Sequence, residues 1–448
     1  MTNDILQGPL AGKIIRFALP VAFTIICEQL VNNTDVLLLG NFVGSDAMAA
    51  VGNDTPVIAV LITLLFGLSM GTNVIMAQAV GAKDRKAMGN IVRTSIPFAF
   101  LIGALFTLIG ELAMEPLIAV MGVPPTVADD AALYLHIYFI ALPFLSLYNF
   151  EAALLRAVGD SQSSLYALML TAVVNGALDY AAIMMGWGIA GVVWATVFAY
   201  AMDAAILFVV ITRKKEIPSF KLSLSFDGTS LRRIIRIGLP AGLQGMVFAI
   251  SNMVVQVAIN SLGPEVMAAS SAAFVIEINV YAVVNGFGQA ATTFVGQSFG
   301  ARDLKRSFLV TKKTMLTGCT VTTILCLTIG LFAEPILKLF TSDPEIIYYG
   351  VIRIYFATVL QILEEVVEIF SGSLRGYGYS LPPALVAFFS ICGIRLLWIF
   401  TVFQNSPSFI NIVLCYPLSW LITGIILFFV YRNIQKILIR SYGSYMNG

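Results

Sequence analysis

In the stretch VNNTDVLLLG (31–40) a carboxylate, Asp35, stands between two apolar runs, 14–26 and 36–42. It has company at helical spacing. Glu28, Asn32 and Asp35 follow one another at i, i+4 and i+7, Asn175 and Asp179 are four apart, and Thr196, Tyr200 and Asp203 repeat the first pattern. Each set therefore lies along one face of a helix. An ionisable group at the centre of a bilayer costs about 3 kcal/mol even on the lenient insertion scale, so its presence marks a functional site by default. Such stripes cannot face lipid, and the three are expected to converge. Carboxylate, Asn and Thr oxygens are hard ligands suited to Na⁺, and a carboxyl group stripped of water also holds a proton more readily. Either ion would neutralise the pocket, and the residues leave Na⁺ and H⁺ both open.

The second half of the chain carries different polar chemistry. Gln361, Glu364, Glu365 and Glu368 form a dense acidic patch, with Glu364 and Glu368 on one helix face and Glu365 about 100° around it. Glu277, Tyr281 and Asn285 make another stripe. Arg395 lies inside an apolar run, where a lone guanidinium is expensive, and it is expected to pair with one of these glutamates. Acidic groups facing an apolar, aromatic-lined cavity suit an organic cation. His136, the single histidine, reads as an interfacial residue, not a proton carrier. The five cysteines, Cys27, Cys319, Cys326, Cys392 and Cys415, all sit in apolar runs without a CxxC pair, so neither a disulfide framework nor a structural metal is expected. With one histidine and no HExxH, an intramembrane enzyme is not expected either.

These groups need a membrane-embedded scaffold to hold them. The chain is 58% hydrophobic and 11% charged, where a soluble domain carries about 25% charged residues. Net charge is +1, and no basic patch interleaved with aromatics points to nucleic acid. A spanning helix needs about 20 mainly apolar residues. Twelve such runs occur, near 14–39, 53–80, 92–114, 131–153, 163–185, 189–212, 235–261, 268–298, 312–333, 349–371, 382–404 and 409–431. Pro20, Pro143 and Pro240 are expected kink sites. All but three of the 26 Lys and Arg residues fall in alternate connections on one side, the exceptions being Lys338, Arg353 and Arg395. The positive-inside rule then places both termini in the cytoplasm. No A-x-A-like cleavage site follows the first run, so it is read as a retained helix. The expected location is the cytoplasmic membrane, in contact with lipid, as a monomer.

The chain also repeats itself. IIRFALP (14–20) returns as IIRIGLP (234–240), AQAVGAKD (77–84) as GQSFGARD (296–303), and LLRAVGDS (154–161) as SLRGYGYS (373–380). Each copy holds six spans, so both share one orientation. The expected fold is all-α: two six-helix bundles, 1–212 and 235–448, related by a pseudo-two-fold axis along the membrane normal and joined by a cytoplasmic linker, 213–234. Transporters built from parallel repeats bind substrate near the midplane between the halves and work by alternating access. Gly81 and Gly300, with the basic residues after them, are expected to end helices. Arg156 and Arg375, at equivalent repeat positions, are expected to cap helix ends or latch a gate. Neither repeated loop is a phosphate-binding loop, since no strand precedes it and no Lys-Ser/Thr follows, so no nucleotide cofactor is expected.

Carried by AQAVGAKD, GQSFGARD, LLRAVGD, SLRGYG, TDVLLLG and NGALD, the sequence resembles the multidrug and toxic compound extrusion (MATE) family of secondary transporters over essentially its whole length. The resemblance implies that Asp35, Asn175, Asp179 and Thr196 form the cation site of the N-terminal half, with Glu28, Asn32, Tyr200 and Asp203 as support. It implies efflux of small organic, chiefly cationic, compounds in exchange for Na⁺ or H⁺. Glu364 lies ten residues before LRG, where one branch of the family has a carboxylate linked to cation or substrate binding. Glu277, Tyr281, Gln361, Glu364, Glu365, Glu368 and Arg395 are the expected substrate-cavity residues, and Pro20 the expected hinge. An acidic residue known from that branch's seventh helix has no counterpart here, Asn252 and Gln256 occupying the nearby positions. A lipid or lipid-linked oligosaccharide flippase of related architecture is the rival. Its cavity should be rich in Arg and Lys, whereas the charges expected inside this chain are overwhelmingly acidic.

Overall fold

The computed structural model of the chain describes residues 5–121, 123, 126–218 and 226–446; the middle of the expected linker, 219–225, lies outside the described residues. Twelve helices are long and apolar enough to cross a membrane: α1 Ala11–Phe42, α2 Asp46–Gly81, α3 Arg85–Leu112, α4 Ala128–Ala157, α5 Gln162–Met184, α6 Gly188–Arg213, α7 Gly228–Asn260, α8 Pro264–Gly300, α9 Leu304–Leu331, α10 Pro344–Gly376, α11 Leu381–Phe403 and α12 Phe409–Ser441. All twelve expected spans are present, and no strand occurs among the described residues. Short helices, Met114–Met121 and Ala333–Leu337, follow α3 and α9 at equivalent repeat positions. Large apolar side chains such as Leu37, Leu101, Val173, Leu331 and Phe429 stand exposed on the helix surfaces, as a hydrocarbon solvent permits. The protein is a multi-pass membrane protein.

The repeated motifs turn out to be helix stops. In the first loop Lys83 adopts φ 56° and its equivalent Arg302 φ 60°, and the amide of the following aspartate reaches back to Ala79 O and Ser298 O, each at 3.0 Å. The helices end at Gly81 and Gly300, as expected of the glycines and the basic residues after them, and the left-handed residue is the basic one two places after the glycine. Asp84 and Asp303 then cap the next helix, accepting from Ala87 N at 2.9 Å and Arg306 N at 2.8 Å. The second motif uses glycine in the usual way: Gly159 (φ 88°) and Gly378 (φ 91°) terminate α4 and α10.

Two compact units emerge from the packing. One, the N unit, is Phe23–Gly242; the other, the C unit, comprises the described residues 5–22 and 243–446. The divisions fall inside α1 and α7, two residues beyond Pro20 and Pro240, instead of in the connection at 213–234. A proline within a helix removes one backbone hydrogen bond, so each division coincides with a weakened turn. In the N unit the early turns of α7 lie close against α2. A Cβ on Gly71 would come within 2.2 Å of Ile234 O, and one on Gly238 within 2.5 Å of Leu68 O, so small residues let the two backbones touch. The C unit repeats this device: a Cβ on Gly286 of α8 would lie 2.5 Å from Ala18 O, and one on Gly372 of α10 would lie 2.3 Å from Gly288 O. Irregular turns occur in two helices here. α10 contains a π-helical turn at Ile354–Thr358, immediately before its acidic patch, and α11 contains two, at Phe388–Cys392 and Ile399–Phe403, on either side of Arg395. Such turns re-aim side chains and often mark functional positions.

Candidate functional site

Three polar stripes of the N unit do converge. Asp35 of α1, Asn175 and Asp179 of α5 and Thr196 of α6 are all buried. Thr196 Oγ1 donates to Asp35 Oδ2 at 3.3 Å, and Asn175 Nδ2 approaches Asp179 Oδ1 at 3.5 Å. The two carboxyl groups lie against each other. Among the described residues no donor reaches Asp35 Oδ1 or Asp179 Oδ2. Two adjacent carboxylates cannot both stay ionised in such a place unless a cation joins them. The pocket thus holds two oxygen atoms ready to accept a proton or to ligate a small hard cation.

The expected supporting residues divide. Asp203, buried, accepts from Thr171 Oγ1 at 2.9 Å. Glu28, half-buried, accepts from Tyr148 Oη at 3.2 Å and lies in the electrostatic field of Arg156. Tyr200 interacts with Tyr138. Asn32, by contrast, is exposed and makes no hydrogen bond with this cluster, because its place on α1 is rotated toward the open side of the helix. Sequence reasoning missed Asp54 of α2. This aspartate is fully buried, neither carboxylate oxygen is hydrogen-bonded among the described residues, and it shares the surroundings of Tyr134 with Asp35 and Asp179. The available signal is a carboxylate inside an apolar run, second in the expected span 53–80. Glu151 of α4, buried with Oε2 unpartnered among the described residues, was missed with the same signal at the other end of a span.

In the C unit the acidic patch splits between two environments. Gln361 Nε2 donates to Glu364 Oε2 at 3.1 Å, and Glu368 pairs with Arg375 at 3.4 Å. Tyr281 of α8 interacts with Asn285 and lies in the field of Glu364 and Glu368. Glu365 faces α9 instead. Its Oε2 accepts from Thr322 Oγ1 at 3.0 Å, and the space over Gly318 is filled by its Oε1. The 100° step that separates it from Glu364 removes it from the set expected to line a shared cavity.

The expected pairing of Arg395 with a glutamate is not what the structure holds. Arg395 Nη1 donates to Asn252 Oδ1 at 2.7 Å and Nε to Ser419 Oγ at 3.2 Å, while the guanidinium lies 4.5 Å from the centre of the Tyr416 ring. Glu277 is taken by another arginine, Arg353, which sequence reasoning had left at the edge of the tenth span. Arg353 Nε and Nη2 each lie 3.0 Å from Glu277 Oε2, and Nη1 donates to Ser270 Oγ. Arg353 also lies over Phe274 and over Tyr416.

At the helix ends, Arg156 is buried over Phe66 at 5.8 Å, and among the described residues its Nε and Nη2 and Arg375 Nε meet no acceptor. Beside Arg156, Asp160 accepts from Ser163 N at 3.0 Å and pairs with Lys214. Burial pushes the Asp160 carboxyl up, but the Lys214 ammonium and the Ser163 donors outweigh it and hold it below the ordinary carboxylate range. His136 stands on the surface and bonds Glu111 Oε2 at 2.7 Å.

A duplicated six-helix scaffold with ionisable groups buried at its helix crossings defines a membrane transporter rather than an enzyme. The profile of the MatE family matches residues 20–181 and again residues 240–401, and the chain belongs to that family. It is 26% identical over 430 residues, covering 94% of this chain and 93% of the relative, to a probable multidrug resistance protein, YoeA, of Bacillus subtilis. It is 27% identical over 389 residues, covering 86% and 84%, to a probable multidrug resistance protein, NorM, of Thermotoga maritima. In fold it is similar to a crystal structure of MATE in complex with MaL6, with a TM-score of 0.90 at 20% identity and coverage of 97% of this chain and 98% of that one.

Proposed function

We propose that this protein is a secondary active exporter of organic, chiefly cationic, compounds, driven by inward movement of Na⁺ or H⁺. The relatives' names support multidrug efflux. The coupling site is the meeting of Asp35, Asn175, Asp179 and Thr196, and the observation that carries it is the pair of buried carboxylate oxygens, Asp35 Oδ1 and Asp179 Oδ2, that no donor among the described residues reaches. An ion entering there neutralises the carboxylates. The stripes of α1, α5 and α6 then repack, α1 bends at Pro20, and substrate held by Glu364 and its neighbours is released outward. A potential of 100 mV supplies about 2.3 kcal/mol per charge moved. The protein works in the cytoplasmic membrane with both termini inside.

The flippase reading rested on counting buried charge, and that count now includes four arginines, Arg156, Arg353, Arg375 and Arg395. Two of them are neutralised, by Glu277 and Glu368. Nine acidic residues are buried among the described residues: Asp35, Asp54, Glu151, Asp179, Asp203, Glu277, Glu364, Glu365 and Glu368. The excess of acid favours cation export over headgroup phosphate. The test is dye efflux from proteoliposomes with Na⁺ and pH gradients imposed separately. Asp35→Asn and Asp179→Asn are each expected to abolish the gradient-driven component. Undiminished driven efflux in both variants would remove the coupling site.

A further inference from the structure

The two profile matches begin 220 residues apart and end 220 residues apart; the motifs at 77–84 and 154–161 recur at 219, and the π-helical turn at Phe388–Cys392 adds the one residue that restores 220 ahead of Arg395. Within the matched residues a step of 220 carries Asp35 to Val255, Asn175 to Arg395 and Asp179 to Ile399, and the same step taken beyond them carries Thr196 to Tyr416. Three of these positions share one buried cluster and the fourth lies over it. Val255, Ile399 and Tyr416 belong to one buried cluster of the C unit, together with Trp420, and the Arg395 guanidinium lies over both rings, 4.5 Å from the centre of Tyr416 and 5.9 Å from that of Trp420. The C unit therefore has a counterpart of the coupling pocket with its chemistry exchanged. Both carboxylates have become aliphatic, and a cation enters from the position of Asn175.

Arg395 is 2% exposed and makes no ion pair among the described residues. Its contacts are two neutral oxygens, Asn252 Oδ1 and Ser419 Oγ, and two aromatic faces, and the Glu364 carboxyl lies in its field without pairing with it. Carbonyl and hydroxyl oxygens with π-faces are the ligand set a protein uses for a monovalent organic cation. Asn252 is itself the counterpart of Asn32 and Trp420 that of Tyr200. The π-helical turns on either side of Gly393–Trp398 fix the direction in which this segment presents its arginine.

We propose that Arg395 is a tethered cation that permanently occupies the C unit's counterpart of the coupling site, so that the protein carries one exchangeable cation site instead of two. This rests on the assignment of Asp35, Asn175, Asp179 and Thr196 as the exchangeable site. The C unit is locked in the loaded condition, and only the N unit cycles between loaded and empty.

The test is to remove the tether and supply the ion. Arg395→Ala should lower driven dye efflux by about tenfold or more, since it empties a buried polar pocket. Guanidinium chloride at about 10–50 mM, far below denaturing concentrations, should restore a large part of that efflux along a saturating curve. It should also raise the thermal midpoint of the purified variant without doing so for the wild type. Urea, neutral and of the same shape, should do neither. Rescue by urea and guanidinium alike would mean that Arg395 only fills space, and wild-type efflux in Arg395→Ala without any addition would also overturn the proposal. Where Arg395→Ala fails to fold, Arg395→Lys and Arg395→Met decide: the lysine variant is expected to keep most of the driven efflux and the methionine variant to lose it, and equal behaviour of the two refutes the tethered cation. The midpoint measurement involves no coupling ion, so a failure of the Asp35 and Asp179 assignment, read from their own variants, is distinguishable from a failure here.

Discussion

Glu277 and Arg353 offer a stability experiment whose outcome the structure constrains tightly. Arg353 is 1% exposed, and two of its nitrogens lie 3.0 Å from the same oxygen of Glu277. Unit charges 3.0 Å apart attract by about 5–6 kcal/mol at an effective dielectric constant near 20. Glu277→Gln keeps the shape and removes the charge. The guanidinium then retains Ser270 and the faces of Phe274 and Tyr416, and each face returns at most about 2 kcal/mol. The expected cost is about 3–5 kcal/mol, as for other buried pairs that lose one partner. Arg353→Met strands Glu277 and should cost a similar amount. The double variant leaves no buried charge and should be more stable than either single variant, with a coupling energy of about 2 kcal/mol or more. Reversible unfolding in mixed detergent micelles, followed for the four proteins of the cycle, measures this directly. Single-variant costs that simply add to the double-variant cost would refute the pairing energetics argued here.

Three further outcomes follow from local geometry. Lys83→Gly and Arg302→Gly relieve a left-handed backbone at a helix end, and each should stabilise the protein by up to about 1 kcal/mol in the same micellar unfolding assay; destabilisation in both would contradict the stop geometry. Asp160→Asn should cost about 1 kcal/mol at neutral pH. Because the folded state holds this carboxyl below its ordinary value, the stabilisation is full above about pH 4 and disappears as pH falls through the lowered value, so the gap between wild type and variant should close on acidification. A gap that widened instead would reverse the sign of the effect. Glu365→Gln should leave dye affinity unchanged because Glu365 faces Thr322 and α9, whereas Glu364→Gln should weaken cationic dye binding in a direct titration; equal losses would put both in one cavity.

The elements were legible because hydrocarbon imposes few choices. Twelve apolar runs gave twelve helices, and the stripes of Asp35, Asp179 and Thr196 met because lipid offers no alternative surface for them. Single-residue geometry was less legible. Spacing places Asn32 on the stripe of Asp35, but one turn of helix is enough to carry it to the exposed side. Glu364 and Glu365 differ by a single residue and face different helices, which periodicity expresses as an angle without naming the neighbour on each side. Span edges hid Asp54, Glu151 and Arg353, since a charge near the end of an apolar run reads as interfacial. The helix stops at Gly81 and Gly300 were legible, but not which residue turns left-handed: glycine is the ordinary one, whereas here the basic residue two places on takes that conformation.

The mispairing expected for Arg395 has the most instructive cause. A buried charge must be compensated, but the partner need not be an opposite charge: two neutral oxygens and two aromatic rings do it here. Duplication supplies the same three helix crossings in each half, and what fills a crossing is free to change as long as its net charge stays small. In the proposed N-unit site two carboxylates leave a deficit that an ion from solution would fill. In the C unit the carboxylates are gone and the positive charge is attached to the chain. On the proposed assignment the duplicated scaffold would acquire an asymmetric requirement for ions, because a half whose cation cannot leave has nothing to exchange.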